Sequence, residues 1–246
     1  MALTTNGTSQ YLSAGPEYNF GATCTSISWW NQRSVSVVNS DGMGRSNAGG
    51  DRGWLLCRTN TTDNSEFKVT MLGGSGSSAW TIGGSWSLNT WRHFLYVFVA
   101  SGNHHYLYED GTLISDNTAA GAYGTALTGI PLYVGASNQN GTPTGYFGGK
   151  TAELAIWDNV DVSSLVGQLR TGATAGKAPN NIGSDPTYYW PLISNGNATL
   201  GGVNFTDNAS PGWDSSAHTG LTITYASGAA ASSNGIIARV VRRIAG

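Results

Sequence analysis

The sequence predicts an all-β fold, a sandwich or barrel of short antiparallel strands with one short helix. Three observations predict it. Apolar and aromatic residues recur in brief runs with period two, each bounded by Gly, Asn, Ser or Asp, which is the pattern of half-buried strands. The composition suits pleated surfaces and tight turns: 35 Gly, 9 Trp and 11 Tyr in 246 residues. Charged residues make up 11%, against about 25% in an ordinary soluble domain. Finally, a single segment has helical spacing, so helices cannot form a layer of their own.

The candidate strands, in order, are 26–30, 35–38, 53–57, 66–72, 79–82, 92–99, 105–108, 131–135, 150–156, 187–191 and 220–225. They are rich in Trp, Tyr, Val, Ile and Thr. Between the runs 105–108 and 112 onward stands Glu109-Asp110-Gly111-Thr112, and Asp-Gly supplies the positive φ of a tight hairpin turn. The helix is expected over 161–170, where Val162, Leu165, Val166 and Leu169 fall at i, i+3, i+4 and i+7. Asp161 can cap its start, and Gly172 follows its end. Residues 173–184 are the best linker candidate. Because Tyr188-Tyr189-Trp190-Pro191-Leu192 after them reads as another core strand, we expect one domain over residues 1–228. A small-residue spacer and a distinct tail occupy 229–246.

Several function classes are disfavoured. A net charge of −2 argues against a whole-surface nucleic-acid binder, and low charge with abundant aromatics is the reverse of the disordered signature. No apolar run approaches the ~18 residues of a membrane helix. The start has neither a basic nor an apolar signal region, so no classical secretory leader is expected. Cys24 and Cys57 are too few for a disulfide scaffold. They are read as two buried thiols or as one bridge. No zinc spacing, phosphate loop, dinucleotide fingerprint or nucleophile elbow occurs. His104 and His105 are adjacent on a strand and cannot chelate one metal, so one is expected to face in and the other out. Of Trp29 and Trp30, one must likewise face opposite to the other. Trp91, Trp157 and Trp190 are assigned to the core.

Placed in order, these pieces resemble a known family. Asn6-Gly7-Thr8-Ser9-Gln10-Tyr11-Leu12 followed by Thr25-Ser26-Ile27-Ser28-Trp29-Trp30 is similar to the opening strands of concanavalin A-like, laminin G-like domains. Asn89-Thr90-Trp91-Arg92-His93-Phe94 leading to Leu107-Tyr108-Glu109-Asp110-Gly111-Thr112-Leu113 resembles the family's central hairpin. The run from Phe147 through Glu153 to Ile156-Trp157 resembles its late strand, with the short helix after it. The resemblance covers roughly residues 3–172. It implies a jelly-roll sandwich of two curved antiparallel sheets.

Relatives of this fold that cleave polysaccharides carry E-x-D-x-x-E on one strand, and a retaining glycosidase needs two carboxyls about 5 Å apart. The chain lacks that pattern. Glu109 and Asp110 are adjacent, and Glu153 and Asp158 are five apart, so a regular strand turns each pair to opposite faces. We expect no enzyme activity. Some relatives bind calcium at the rim, and the stretch 39–51, read as a loop with Asp41 and Asp51, holds enough oxygen donors for it; the other reading is a loop satisfied by its own backbone. Calcium is the one cofactor considered. For a glycan, planar hydrogen-bonding groups beside an aromatic ring are wanted. The loop 137–142 with Asn138, Gln139 and Asn140 followed by Tyr146 has that composition, as does 39–51 followed by Trp54.

The tail is unlike the body. Ile236, Ile237, Val240, Val241 and Ile244 alternate with Arg239, Arg242 and Arg243. It is expected to be held, either as a last strand on its own sandwich or on a neighbouring subunit or particle. Laminin G-like modules occur in phages as capsid decoration, fibre and adhesion domains. The resemblance and the tail together imply a non-catalytic bacteriophage virion protein, contacting other virion proteins or copies of itself and host-surface polysaccharide. The alternatives are an extracellular bacterial carbohydrate-binding or adhesion module and a polysaccharide hydrolase. Neither nucleic acid nor membrane insertion is expected.

Overall fold

A computed structural model describes residues 2–14, 23–35, 41–46, 53–59, 67–73, 76–82, 87–118, 131–139, 141–192, 199–201, 204–213 and 221–225. Among these, the side chains of 41, 45–46, 53–59, 67–73, 76–82 and 139 lie outside the description. The tail residues Ile236, Ile237, Arg239, Val240, Val241, Arg242, Arg243 and Ile244 lie outside it too, as do most of the expected strand at 35–38, Asn140 and Asp51.

The described strands are β1 (Leu3–Asn6), β2 (Tyr11–Ala14), β3 (Cys24–Arg33), β4 (Asp41–Ser46), β5 (Gly53–Thr59), β6 (Phe67–Gly73), β7 (Gly76–Ile82), β8 (Trp91–Val99), β9 (His104–Glu109), β10 (Thr112–Asn117), β11 (Leu132–Val134), β12 (Ser137–Gln139), β13 (Thr142–Thr144), β14 (Gly148–Asp158), β15 (Ala175–Lys177), β16 (Tyr188–Trp190), β17 (Phe205–Asn208), β18 (Gly212–Trp213) and β19 (Thr222–Thr224). One sheet, A, runs β10-β9-β8-β3-β14-β1-β18, with β16 also on β14. The other, B, runs β17-β2-β11-β4-β5-β6-β7, with the small hairpin β12–β13 joined to β4. β15 and β19 form a separate parallel pair. The fold is the expected all-β sandwich with a single short helix, α1 (Val166–Leu169).

Alternation decides which side chains meet. On β3, Ile27 and Trp29 enter the core shared with sheet B, joined there by Phe94, Tyr96 and Phe98 of β8, Leu12 and Ala14 of β2, and Leu132 and Val134 of β11. The other parity of sheet A faces away from sheet B, yet it is buried as well. Leu95, Val97, Ala155 and Trp157 pack under Val162, Leu169, Ala178 and Ile182. Trp30, Trp91 and Ala152 pack under Leu221. Residues 160–184 and 221–225 therefore make a third layer over sheet A, which is why every residue of β3 is buried. The opposite facing of Trp29 and Trp30, and the burial of Trp91, Trp157 and Trp190, follow from this arrangement.

Several sequence expectations change. The helix expected over 161–170 is a 3-10 turn, Ser163–Leu165, running into the four residues of α1. Val162 and Leu169 are its buried contacts, and two serines and Gly167 give little propensity to extend it. Asp161 does accept the Ser163 N–H at 2.8 Å. The linker candidate 173–184 carries β15, a 3-10 turn at Pro179–Asn181 and the buried Ala178 and Ile182. It is part of the third layer. A Cβ on Gly176 would sit 2.0 Å from the Leu169 carbonyl oxygen and 3.3 Å from the Trp30 ring, so the layer approaches the sheet as closely as backbone permits. The stretch 39–51 is not wholly a loop, since β4 pairs there with β5 and β11. The loop at 137–142 is a tight hairpin, β12–β13.

Candidate functional site

The carboxylates come first, because a pair of them would mean hydrolysis. Asp110 occupies the predicted turn between β9 and β10 with φ 50, followed by Gly111 at φ 82. That left-handed pair turns the strand tightly and removes Asp110 from the alternation of β9. In consequence Glu109 and Asp110 do not diverge as expected; both face Arg92. The Arg92 Nη1 lies 2.7 Å from Asp110 Oδ2 and 3.6 Å from Glu109 Oε1. Asp110 Oδ1 accepts the His93 backbone N–H at 3.0 Å and lies 3.4 Å from Arg170 Nε. The pair is thus an anchor joining the β9–β10 turn to β8 and to the end of α1. Burial raises the Glu109 carboxyl above its ordinary range, against the pull of Arg92.

Glu153 departs from its expectation for another reason. The β14–β3 register slips between Ala152 and Ala155, and Glu153 stands in the slip with φ 53. It is a β-bulge residue, so the separation from Asp158 no longer follows strand parity. Its side chain is 1% exposed. Oε2 accepts the Tyr189 hydroxyl, and Oε1 accepts the Tyr225 hydroxyl at 2.7 Å. Burial and the neighbouring Glu153 charge push both phenols above their ordinary range. This carboxylate is closed off by two rings and ties the strand pair β15–β19 to sheet A.

The imidazoles behave as alternation dictates. His105 is buried and bonds to the Tyr96 hydroxyl at 2.7 Å. His104 faces outward, 2.9 Å from Asp116 and stacked on Tyr106. His93 is fully enclosed, its Nε2 2.9 Å from Ser28 Oγ. Burial, then the charge of Arg170, lowers its pKa from 6.5 to about 3. Cys24 is a free buried thiol, pushed up to about 11 chiefly by burial and then by Asp161. The Cys57 side chain lies outside the described residues. Among the described residues no three metal-binding side chains cluster; Asp41 is described only as backbone and Asp51 not at all.

The structure does gather aromatic groups at one of the sequence-predicted glycan loops. On β2, Leu12 and Ala14 point into the core, so Tyr11 and Ser13 point out of the sandwich. On β11, Leu132 and Val134 do the same to Tyr133, which lies across from Ser13 and from Gly44. Tyr146, just after the β12–β13 hairpin, closes the group. The Tyr11 and Tyr133 ring centres are 4.6 Å apart, tilted by 41°; those of Tyr11 and Tyr146 are 6.2 Å apart, tilted by 50°. Tyr133 is 6% exposed and donates to the Gly141 carbonyl at 3.3 Å, while Tyr11 and Tyr146 are half-buried. Burial and the adjoining phenols raise Tyr133 above its ordinary range, so it stays a neutral donor. Beside the rings, β17 brings Asn208 opposite Tyr11 and Thr206 opposite Ser13. The Asn208 amide donates to Ser13 Oγ at 2.9 Å.

Of the sequence-predicted glycan residues, Tyr146 stands on this surface. Asn138 does not present its amide. It is 0% exposed, donates to the Pro131 carbonyl at 2.7 Å and accepts the Gly141 N–H at 2.6 Å. Its hydrogen-bonding capacity shapes the hairpin, and the ligand-facing role proposed for it fails on that geometry. Gln139 and Trp54 are described only as strand backbone, and Asn140 is outside the description. Sequence reasoning missed Tyr11 and Tyr133. A tyrosine flanked by aliphatic residues on a period-two strand signals an outward ring, but the pairing of β2 with β11 is not local information.

The comparisons with known proteins bear on the fold. A candidate carbohydrate-binding protein from Bacteroides ovatus ATCC 8483 superposes with a TM-score of 0.57 at 17% identity, covering 86% of this chain and 62% of that one. The chain thus spans under two thirds of that relative's length. A native heptameric SAP-like pentraxin from Limulus polyphemus gives 0.51 at 11% identity, over 68% of this chain and 80% of that one. Domains LG4-5 of the mouse laminin alpha1 chain give 0.50 at 12% identity, over 63% and 41%. At these identities the likeness is one of fold. No curated protein sequence matches the chain significantly. Residues 6–164, more than half of the chain, match the Laminin_G_3 family, the laminin G-like branch described as the concanavalin A-like lectin/glucanases superfamily, and to that family the chain belongs.

Proposed function

We propose that the chain is a non-catalytic glycan-binding module that works by surface contact in an extracellular setting. The observation that carries this reading is the tyrosine group Tyr11–Tyr133–Tyr146 on the outer face of sheet B, flanked by the hydroxyl and amide groups of Ser13, Thr206 and Asn208. Aromatic rings meet the apolar faces of sugars, and neighbouring polar groups meet their hydroxyls. The carboxylates argue for binding over cleavage: Glu153 is enclosed by phenols, and Glu109 and Asp110 are held by Arg92. The candidate carbohydrate-binding relative supports the same reading at the level of fold. The bacteriophage virion setting rests on the family resemblance together with residues 236–244, which lie outside the described residues, and so takes second place.

Affinity electrophoresis against a panel of soluble polysaccharides tests the proposal. The chain is expected to be retarded by at least one of them, and Tyr11→Ala/Tyr146→Ala to run freely while keeping its unfolding temperature. A reducing-end assay on the retarding polysaccharide is expected to show no cleavage. Retardation unaffected by the double substitution would remove the site from the tyrosines.

A further inference from the structure

We infer that the tyrosine surface takes an uncharged, soluble glycan chain and engages at least two adjoining sugars of it; this rests on the reading above. The strands that carry or border the rings are β2, β4, β11, β12, β13 and β17. By alternation the positions that share the face of Tyr11 and Tyr133 are Ser13 of β2, Gly44 of β4, and Thr206 and Asn208 of β17, all of them uncharged, while Asp207 lies across from the core residue Leu12 on the other parity. An acidic polysaccharide needs a cation to offset the desolvation of its carboxylates or sulfates. None of these outward positions supplies one. The groups at hand for hydrogen bonding are neutral: the Ser13 and Thr206 hydroxyls and the Asn208 amide.

Tyr133 is nearly covered and serves as the support beneath Tyr11. The rings that remain half open are Tyr11 and Tyr146, 6.2 Å apart. That separation is close to the repeat of adjoining pyranose rings, so each phenol can sit under a different sugar of one chain. Their planes are tilted by 50°. Coplanar rings would fit the flat face of a crystalline polysaccharide; tilted rings fit a single chain whose successive sugars turn relative to one another.

The test uses isothermal titration of the full chain with a panel of neutral soluble glucans, mannans and galactans, with alginate as the acidic probe, and with oligosaccharides of the best neutral polymer from mono- to hexasaccharide. Binding to a neutral polymer is expected, with affinity unchanged by salt because no ion pair is screened. The disaccharide or trisaccharide is expected to bind at least about tenfold more tightly than the monosaccharide. Tyr11→Ala and Tyr146→Ala, each alone, are expected to cost about tenfold, the usual scale for truncating an aromatic contact at a binding hot spot. Binding to alginate alone, falling with salt and abolished by Arg45→Gln on the neighbouring β4, overturns this inference and leaves the glycan-binding reading standing. Equal affinity for the monosaccharide and the oligosaccharides overturns the two-sugar geometry. Absence of binding to every probe removes the glycan-binding reading itself.

Discussion

The two outward faces of the sandwich carry tyrosines and tryptophans to opposite ends. On sheet A the outward rings of Trp30, Trp91 and Trp157 are covered by the third layer and are no more than 2% exposed. On sheet B the outward Tyr133 is nearly covered, while Tyr11 and Tyr146 above it stay half-buried beside hydroxyls and an amide. The same alternation produces both faces, so the periodicity of the strands does not distinguish a structural face from a binding one. What distinguishes them is whether another segment of the chain lies on top. A covered aromatic face contributes to stability; an open one is available for contact.

This contrast can be broken by substitution. The largest effect belongs to the covered face. Trp157→Ala opens a cavity under Val162 and Leu169 and strands the Ser184 carbonyl that accepts the Trp157 N–H at 3.0 Å. Chemical denaturation should show a loss of about 3–5 kcal/mol. Acid comes next. His93 is held neutral under the third layer, with its pKa lowered to about 3, whereas in the unfolded chain it titrates near 6.5. Below about pH 6.5 the unfolded state gains a proton that the native state excludes. Stability is therefore complete above that pH, and falls by about 1.4 kcal/mol per unit toward pH 3. A urea midpoint measured against pH should show this slope, and His93→Gln should flatten it.

A smaller loss is expected at the join between the layers. Glu153→Gln keeps the shape but removes the charge that accepts the Tyr189 and Tyr225 hydroxyls. About 1–3 kcal/mol of stability should be lost, with hydrogen exchange accelerated first at the amides of β19. The smallest effect belongs to the open face. Tyr146→Ala should change stability by no more than about 1 kcal/mol and yet weaken glycan binding. If Tyr146→Ala destabilised the protein as much as Trp157→Ala, the two faces would be equivalent and sheet B's tyrosines would be core.

The sequence announced much of this architecture in particular places. The Asp-Gly turn at 110–111, the long buried runs 26–30 and 92–99, and the tryptophans of the core were legible because alternation and turn chemistry are local. The platform was legible by half. Tyr146 could be picked from its neighbourhood of Asn, Gly and Thr, but Tyr11 and Tyr133 are about 120 residues apart from each other along the chain. Asn138 misled because its side chain can serve its own hairpin as well as a ligand, and composition does not tell which.

The amino-acid order by itself determined which residues form strands, where they turn and that side chains must divide between two faces, since these depend on backbone sterics and a period of two. The tertiary structure alone decided which of those faces is covered. It placed the β-bulge that swings Glu153 toward Tyr189 and Tyr225, laid residues 160–184 over one sheet, and brought three distant tyrosines together on the other. Burial is a property of what packs on top, and that is set by contacts between segments remote in the chain.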